Sequence, residues 1–260
     1  MLDTKGINVW CAAGKGTFGT DELVRRIEAA GLPEVVSHRT LVLPQLAASG
    51  VAAHEVRKRS GFRVVYGPVR AADLPAFLAA DMQAAPAMRE VRFPLRDRVV
   101  LIPVELVGAA KYALLTAACL IFLAGWGLDG FSIPRMLGVG AASAALLLTV
   151  AVGSIVLTAA LLPWLPGRAL AVKGLWLGLA FTAGTAACEA LCPGLFGGWL
   201  SVAAWCLTIP AAASFLAMNF TGSTTYTSLS GVRREMRVAV PIQAACTVLG
   251  AVLWLIGRFV

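Results

Sequence analysis

Cys11 stands in the run Asn8-Val9-Trp10-Cys11-Ala12-Ala13-Gly14-Lys15-Gly16-Thr17-Phe18-Gly19-Thr20, one thiol among small residues and glycines. Such surroundings let sulfur and main chain approach a broad, flat ligand without intervening side chains. A phosphate-binding loop is excluded, because it needs Gly where Val9 stands and Ser or Thr where Gly16 stands. Gly14-Lys15-Gly16-Thr17-Phe18-Gly19 does match a dinucleotide fingerprint literally. Asp21 and Glu22 nevertheless open the next helix, where they would repel a pyrophosphate. A nucleophilic thiol needs a base, and His38 and His54, the only histidines, stand in no recognisable context. Gly14 removes the second cysteine of a redox Cys-x-x-Cys. The chemistry left is that of a thiolate ligand to a cofactor metal, with Trp10, Ala12 and Ala13 on a short helix beneath a planar macrocycle and soft sulfur suited to a polarizable metal. Lys15 either depresses the thiol pKa, as a neighbouring cation does, or faces solvent.

Other candidates are weaker. Cys119, Cys188, Cys206 and Cys246 lie within apolar segments and Cys192 at the end of one, so no disulfide framework is expected. Cys188 and Cys192 share a helix face but lack the further His or Cys of a metal site. Glu189 is the one carboxylate near the end of an apolar span; an interfacial position, touching headgroups or water, is expected for it. The hydroxyl-rich stretch Asn219-Phe220-Thr221-Gly222-Ser223-Thr224-Thr225-Tyr226-Thr227-Ser228 either contacts the soluble domain or satisfies main-chain groups where helices end.

These residues must be positioned by two domains, because charged side chains concentrate before residue 108 and apolar runs dominate after it. Charged residues make up 14% of the chain, against about 25% in globular domains. Residues 1–108 read as an α/β domain, Rossmann-like and incomplete, with strands at 35–42 and 62–65 and helices at 21–30, 52–60 and 73–80. Thr20 is the predicted N-cap of the first helix and Gly31 its stop. At most residues 2–7 precede the Cys11 run as a strand, so the domain is expected to lack opening strands. Residues 109–260 read as an all-α transmembrane domain of five helices, at about 110–128, 137–161, 171–191, 195–217 and 238–257, each near the length a bilayer requires.

The net charge of +8 comes without a basic stripe interleaved with aromatics, so nucleic acid is not an expected partner. No basic flank with an apolar core opens the chain as a secretory signal. Arg168, Lys173, Arg233, Arg234 and Arg237 fall in loops on the side of the N-terminal domain, and Arg135 and Arg258 on the other. That bias places the soluble domain in the cytoplasm, beneath a multi-pass inner (cytoplasmic) membrane protein whose C-terminus lies outside.

The run from Asn8 to Thr20 resembles the cap-helix signature of the mercury-methylating corrinoid membrane proteins, whose cofactor domain is similar to the corrinoid iron-sulfur protein of the acetyl-CoA pathway. The resemblance continues through the soluble domain, the five apolar spans and the stretch Met218 to Tyr226. It implies a corrinoid (cobalamin-type) cofactor with Cys11 as the lower axial ligand to cobalt. Asn8, Val9, Trp10, Ala12, Ala13, Gly14 and Lys15 would hold that cofactor, Asn8 fixing the helix or thiolate and the alanines leaving room for the ring. The implied reaction is methyl transfer to Hg(II), forming methylmercury. The implied partners are a methyl donor from a methyltetrahydrofolate route, a small ferredoxin with [4Fe-4S] clusters as reductant, and membrane lipid. The resemblance also implies a further N-terminal stretch, with the opening strands of the corrinoid fold, which is expected to be missing before Met1. Readings from other classes are a membrane transporter, a membrane-anchored nucleotide- or metal-binding module, and an inactive truncated product.

Overall fold

The computed structural model describes residues 18–220 and 229–260, apart from the side chains of Leu229 and Ser230, and divides into two compact bodies that meet in sequence between Arg92 and Phe93. In the first body, helix α1 (Thr20–Ala29) forms because Leu23, Val24 and Ile27 share one face, and all three are buried. Asp21 and Glu22 in its first turn and Arg26 in its last complement the helix dipole. The N-cap is Gly19, not Thr20. The Thr20 hydroxyl accepts the Ala52 N–H at 2.9 Å and donates to the Gly50 carbonyl, so it fastens α1 to a distant loop instead of capping its own helix. Gly31 stops the chain as expected, in the left-handed conformation at φ 53°.

The predicted strand at 35–42 is displaced. A helical turn, Leu32–Val35, starts at Pro33 and consumes its beginning, leaving β1 as Thr40–Leu43. Helix α2 (Ala53–Ser60), closed by Gly61 at φ 75°, leads to β2 (Arg63–Tyr66). The two strands pair in parallel, Thr40 opposite Arg63 and Leu43 opposite Tyr66, and make a two-stranded sheet. This β1–α2–β2 unit gives the body α/β character. Helix α3 (Leu74–Ala79) comes next with no third strand among the described residues, so the sheet does not define the Rossmann-like layer that the sequence pattern suggested. Phe18, Leu23, Ile27, Ala47, Val56, Phe62 and Val64 form the core. Tyr66 donates its hydroxyl to the Val51 carbonyl at 2.5 Å, and burial pushes its pKa up.

The second body contains five helices long and apolar enough to cross a membrane, over Leu95–Ala124, Ile133–Leu161, Leu170–Leu191, Trp199–Asn219 and Gly231–Ile256. Their continuous regions are α4 (Ile102–Ala124), α5 (Ala141–Leu161), α6 (Leu170–Leu191), α7 (Trp199–Asn219) and α8 (Leu229–Ile256). Helices satisfy their main-chain groups internally, the condition for lying in hydrocarbon. Two boundaries differ from the sequence expectation. Helix α4 starts earlier, with Pro103 in its first turn, and α8 includes Arg233, Arg234 and Arg237, which are helical and not in a loop. The membrane body also starts before residue 108, because Phe93, Leu101, Ile102 and Leu106 pack against Ile155, Ala159, Leu162, Leu170 and Phe220.

Helices α6 and α7 are the most extensively packed pair, and α7 packs in turn on α8. Gly174 and Gly178, one turn apart on α6, permit the close approach: a Cβ on Gly174 would lie 2.5 Å from the Ala213 carbonyl oxygen, and one on Gly178 2.5 Å from Pro210 Cα. Pro210 and Pro241 lie inside α7 and α8 and each withholds one main-chain donor.

Candidate functional site

All eight residues expected to hold a cofactor, Asn8, Val9, Trp10, Cys11, Ala12, Ala13, Gly14 and Lys15, lie outside the described residues. The chain just beyond them is firmly held. Phe18 is buried in the core of the first body and Gly19 begins α1, so the run leads directly into an anchored helix. Asp21 pairs with Arg59 on α2, while Glu22 pairs with Arg25 and Arg26 on its own helix. The hydrogen bond from Arg26 is the main reason that the Glu22 carboxyl is held below the usual carboxylate range. The start of α1 is therefore an anionic surface already engaged with arginines, which does not suit a phosphate ligand.

His38 and His54 are both exposed, and His54 Nε2 lies 3.7 Å from a Glu55 carboxylate oxygen. Beside His54, a depression of about 520 Å³ is lined by Ala53, Arg57, Lys58, Arg63 and Val64. Cys11 is the only cysteine before residue 92, so the described part of this body offers no alternative thiolate ligand. Among the described residues, no three His, Cys, Asp or Glu side chains gather into a metal site.

In the membrane body Glu189, Lys173 and Arg98 are spent on main-chain groups. Glu189 is 2% exposed, and its carboxylate accepts the N–H groups of Gly194 at 2.7 Å, Phe196 at 2.9 Å and Gly198 at 3.1 Å. It is not the headgroup-facing carboxylate expected from the sequence: it closes the turn between α6 and α7, where glycines at 194, 197 and 198 adopt positive φ. Charge-assisted bonds of this kind are the strong ones. Glu189→Ala leaves three donors without their acceptor and is expected to cost about 3 kcal/mol or more, with Glu189→Gln milder, measured by unfolding in detergent micelles.

Arg98 was not singled out by sequence reasoning, and Lys173 was read only as a loop cation. Lys173 is buried in the first turn of α6, not in a loop, and donates to the carbonyls of Leu162 at 2.8 Å and Leu165 at 2.5 Å. Arg98 donates to the carbonyls of Ala159 at 3.1 Å and Ala160 at 2.8 Å and lies over the Trp164 ring. Both cap the end of α5. A lone Lys in an otherwise apolar run was the signal available for Lys173.

Cys119, Cys188, Cys192 and Cys206 are exposed and Cys246 is half-buried, all as free thiols. Cys206 and Cys246 line an apolar groove of about 310 Å³ together with Pro210 and Gln243. Gln243 donates to Ser214 Oγ at 2.7 Å and to Met218 Sδ, which fastens α8 to α7. A cavity of about 520 Å³ between α4, α5 and α7 is lined by Glu105, Tyr112, Thr116 and Asn219, of which the sequence reading had named only Asn219. Of the hydroxyl-rich stretch, only Asn219 and Phe220 are described, and Phe220 is buried.

The fold and these groups define a class: a helical membrane protein of five candidate spans, carrying an N-terminal body with a small parallel sheet. Comparison with protein-family models, with curated proteins and with solved structures finds no match for the chain.

Proposed function

We propose that this protein is a membrane-anchored, corrinoid-dependent methyltransferase that passes a methyl group to Hg(II). The observation that carries the reading is the run Asn8 to Thr20, which combines one thiol, small neighbours and glycines at the entrance to α1. The donor set suits the group: Cys11 supplies the single thiol of this body, and Ala12 and Ala13 are small residues beside it that would leave room for a wide ring.

When bound, a corrinoid supplies a cobalt centre that carries methyl, and the organometallic chemistry belongs to it. The chain's own part is to hold and tune. Cys11 would be the residue that holds the cobalt, and as an anionic thiolate it would donate electron density that suits a methyl group bound for an electrophilic mercuric ion. Neutral imidazole would donate less. Asn8 would fix the thiolate or its segment, and Lys15, four residues along the chain, would favour the deprotonated sulfur if it faces it.

In this reading the N-terminal body faces the cytoplasm beneath the inner membrane, a small [4Fe-4S] ferredoxin supplies electrons, and methyl arrives from a methyltetrahydrofolate route. The membrane body anchors the catalyst. Cobalt content and an ultraviolet-visible spectrum of the purified chain test the proposal. About one cobalt per chain with corrinoid absorbance is expected, as for a single axial-ligand site. A chain that takes up no corrinoid under reducing conditions would overturn it.

A further inference from the structure

The cavity between α4, α5 and α7 has a volume of about 520 Å³, within the roughly 300–1,000 Å³ range of small-molecule sites. Its lining is graded. Glu105 in the first turn of α4 and Asn219 at the last residue of α7 supply polar groups, with Tyr112 and Thr116 further along α4. Leu147, Val150, Phe215 and Leu216 supply an apolar wall. Space is left by Gly108, where an added Cβ would meet no heavy atom within 4 Å.

Among the described residues, Glu105 has no hydrogen-bond or ion-pair partner, in contrast to Glu189, Glu22 and Glu235, whose carboxylates are all engaged. Thr116, about three turns further along α4, donates its hydroxyl to the Tyr112 carbonyl of its own helix. A carboxylate at the start of a helix also suits the helix dipole. That role does not require a cavity beside it with a carboxamide at one end and an apolar wall. An ionisable group in a spanning helix is costly unless it meets an opposite charge or water.

We propose that this cavity binds the ammonium head of an amphiphile, with Glu105 as the counter-charge, Asn219 as a hydrogen-bonding neighbour, and the alkyl chain along Leu147, Val150, Phe215 and Leu216. The ligand chemistry is a primary amine joined to an apolar chain, supplied either by an aminophospholipid of the bilayer or by a free alkylamine. The site is independent of the methyltransferase reading, because it involves no residue of the Cys11 run.

The test uses the full chain in phosphatidylcholine nanodiscs, photolabelled with hexadecylamine carrying a diazirine and mapped by peptide mass spectrometry. Labelling of α4 and α7 is expected, with about a tenfold fall in Glu105→Gln and a similar fall in Gly108→Leu. The second variant fills the cavity yet replaces glycine with a better helix former, so it should fold. Excess phosphatidylethanolamine in the bilayer suppresses the label if the lipid is the natural source, and added dodecylamine alone suppresses it if the free amine is. Equal labelling by the matching alcohol, or labelling unchanged in Glu105→Gln, would overturn the proposal.

Discussion

Cys11→Ala is expected to remove corrinoid from the purified protein and to lower methylmercury formation by about a hundredfold or more, because even groups one step removed from a metal cost 10–100-fold when lost. Alanine is small and a good helix former, so the substitution removes little besides the sulfur. A change in cobalt content therefore reports on ligation and not on folding. Cys11→His gives the finer comparison. If the thiolate's electron donation matters, the imidazole variant retains cobalt but transfers methyl slowly. Thermal unfolding of both variants should match the parent chain. A Cys11→Ala protein that still forms methylmercury at the parental rate would remove the basis of the functional proposal.

Gly174→Leu is expected to separate α6 from α7. A Cβ at this position would lie 2.5 Å from the Ala213 carbonyl oxygen, 2.6 Å from Ala217 Cβ and 2.8 Å from Ser214 Cα. Two of those three atoms are main chain, which cannot rotate away as a side-chain tip can. Overpacking usually costs about 1–3 kcal/mol and more where backbone must shift, so a loss of about 3 kcal/mol or more is expected. Gly178→Leu should behave alike, since Pro210 Cα blocks the same path. Gly184 lies on the same helix with no heavy atom within 4 Å of an added Cβ, and Gly184→Leu should leave stability unchanged. Unfolding in mixed micelles measures all three, and equal stability of Gly174→Leu and Gly184→Leu would contradict the packing described.

Much of the fold was legible in the sequence. The apolar runs announce five helices because length and hydropathy alone decide what can lie in a bilayer. Leu23, Val24 and Ile27 announce α1 for the same kind of reason, a periodic face with a glycine at its end. Tertiary packing decided the rest. Thr20 looks like a cap from local pattern, and only the distant Ala52 N–H diverts it. Residues 35–42 carry strand-like valines, yet Pro33 after the left-handed Gly31 turns Leu32–Val35 into helix. The parallel sheet has two strands, where the alternating pattern suggested a larger layer.

For the candidate residues, the sequence showed which side chains were chemically unusual but not what they touch. Glu189 illustrates the gap. Its position at the end of an apolar run is visible, but the three N–H groups it receives come from a turn whose shape depends on Gly194, Gly197 and Gly198 at positive φ. Glu105 was hidden for another reason: the other walls of its cavity come from α5 and α7, far along the chain.

The clasp that Arg98 and Lys173 place on the last carbonyls of α5 bears on how this hairpin enters a bilayer. Helix ends ordinarily need water to solvate their exposed oxygens. Here the oxygens of Ala159, Ala160, Leu162 and Leu165 carry their solvation with them as protein cations. The α5–α6 connection thus needs fewer waters to satisfy its carbonyls than an uncapped helix end would.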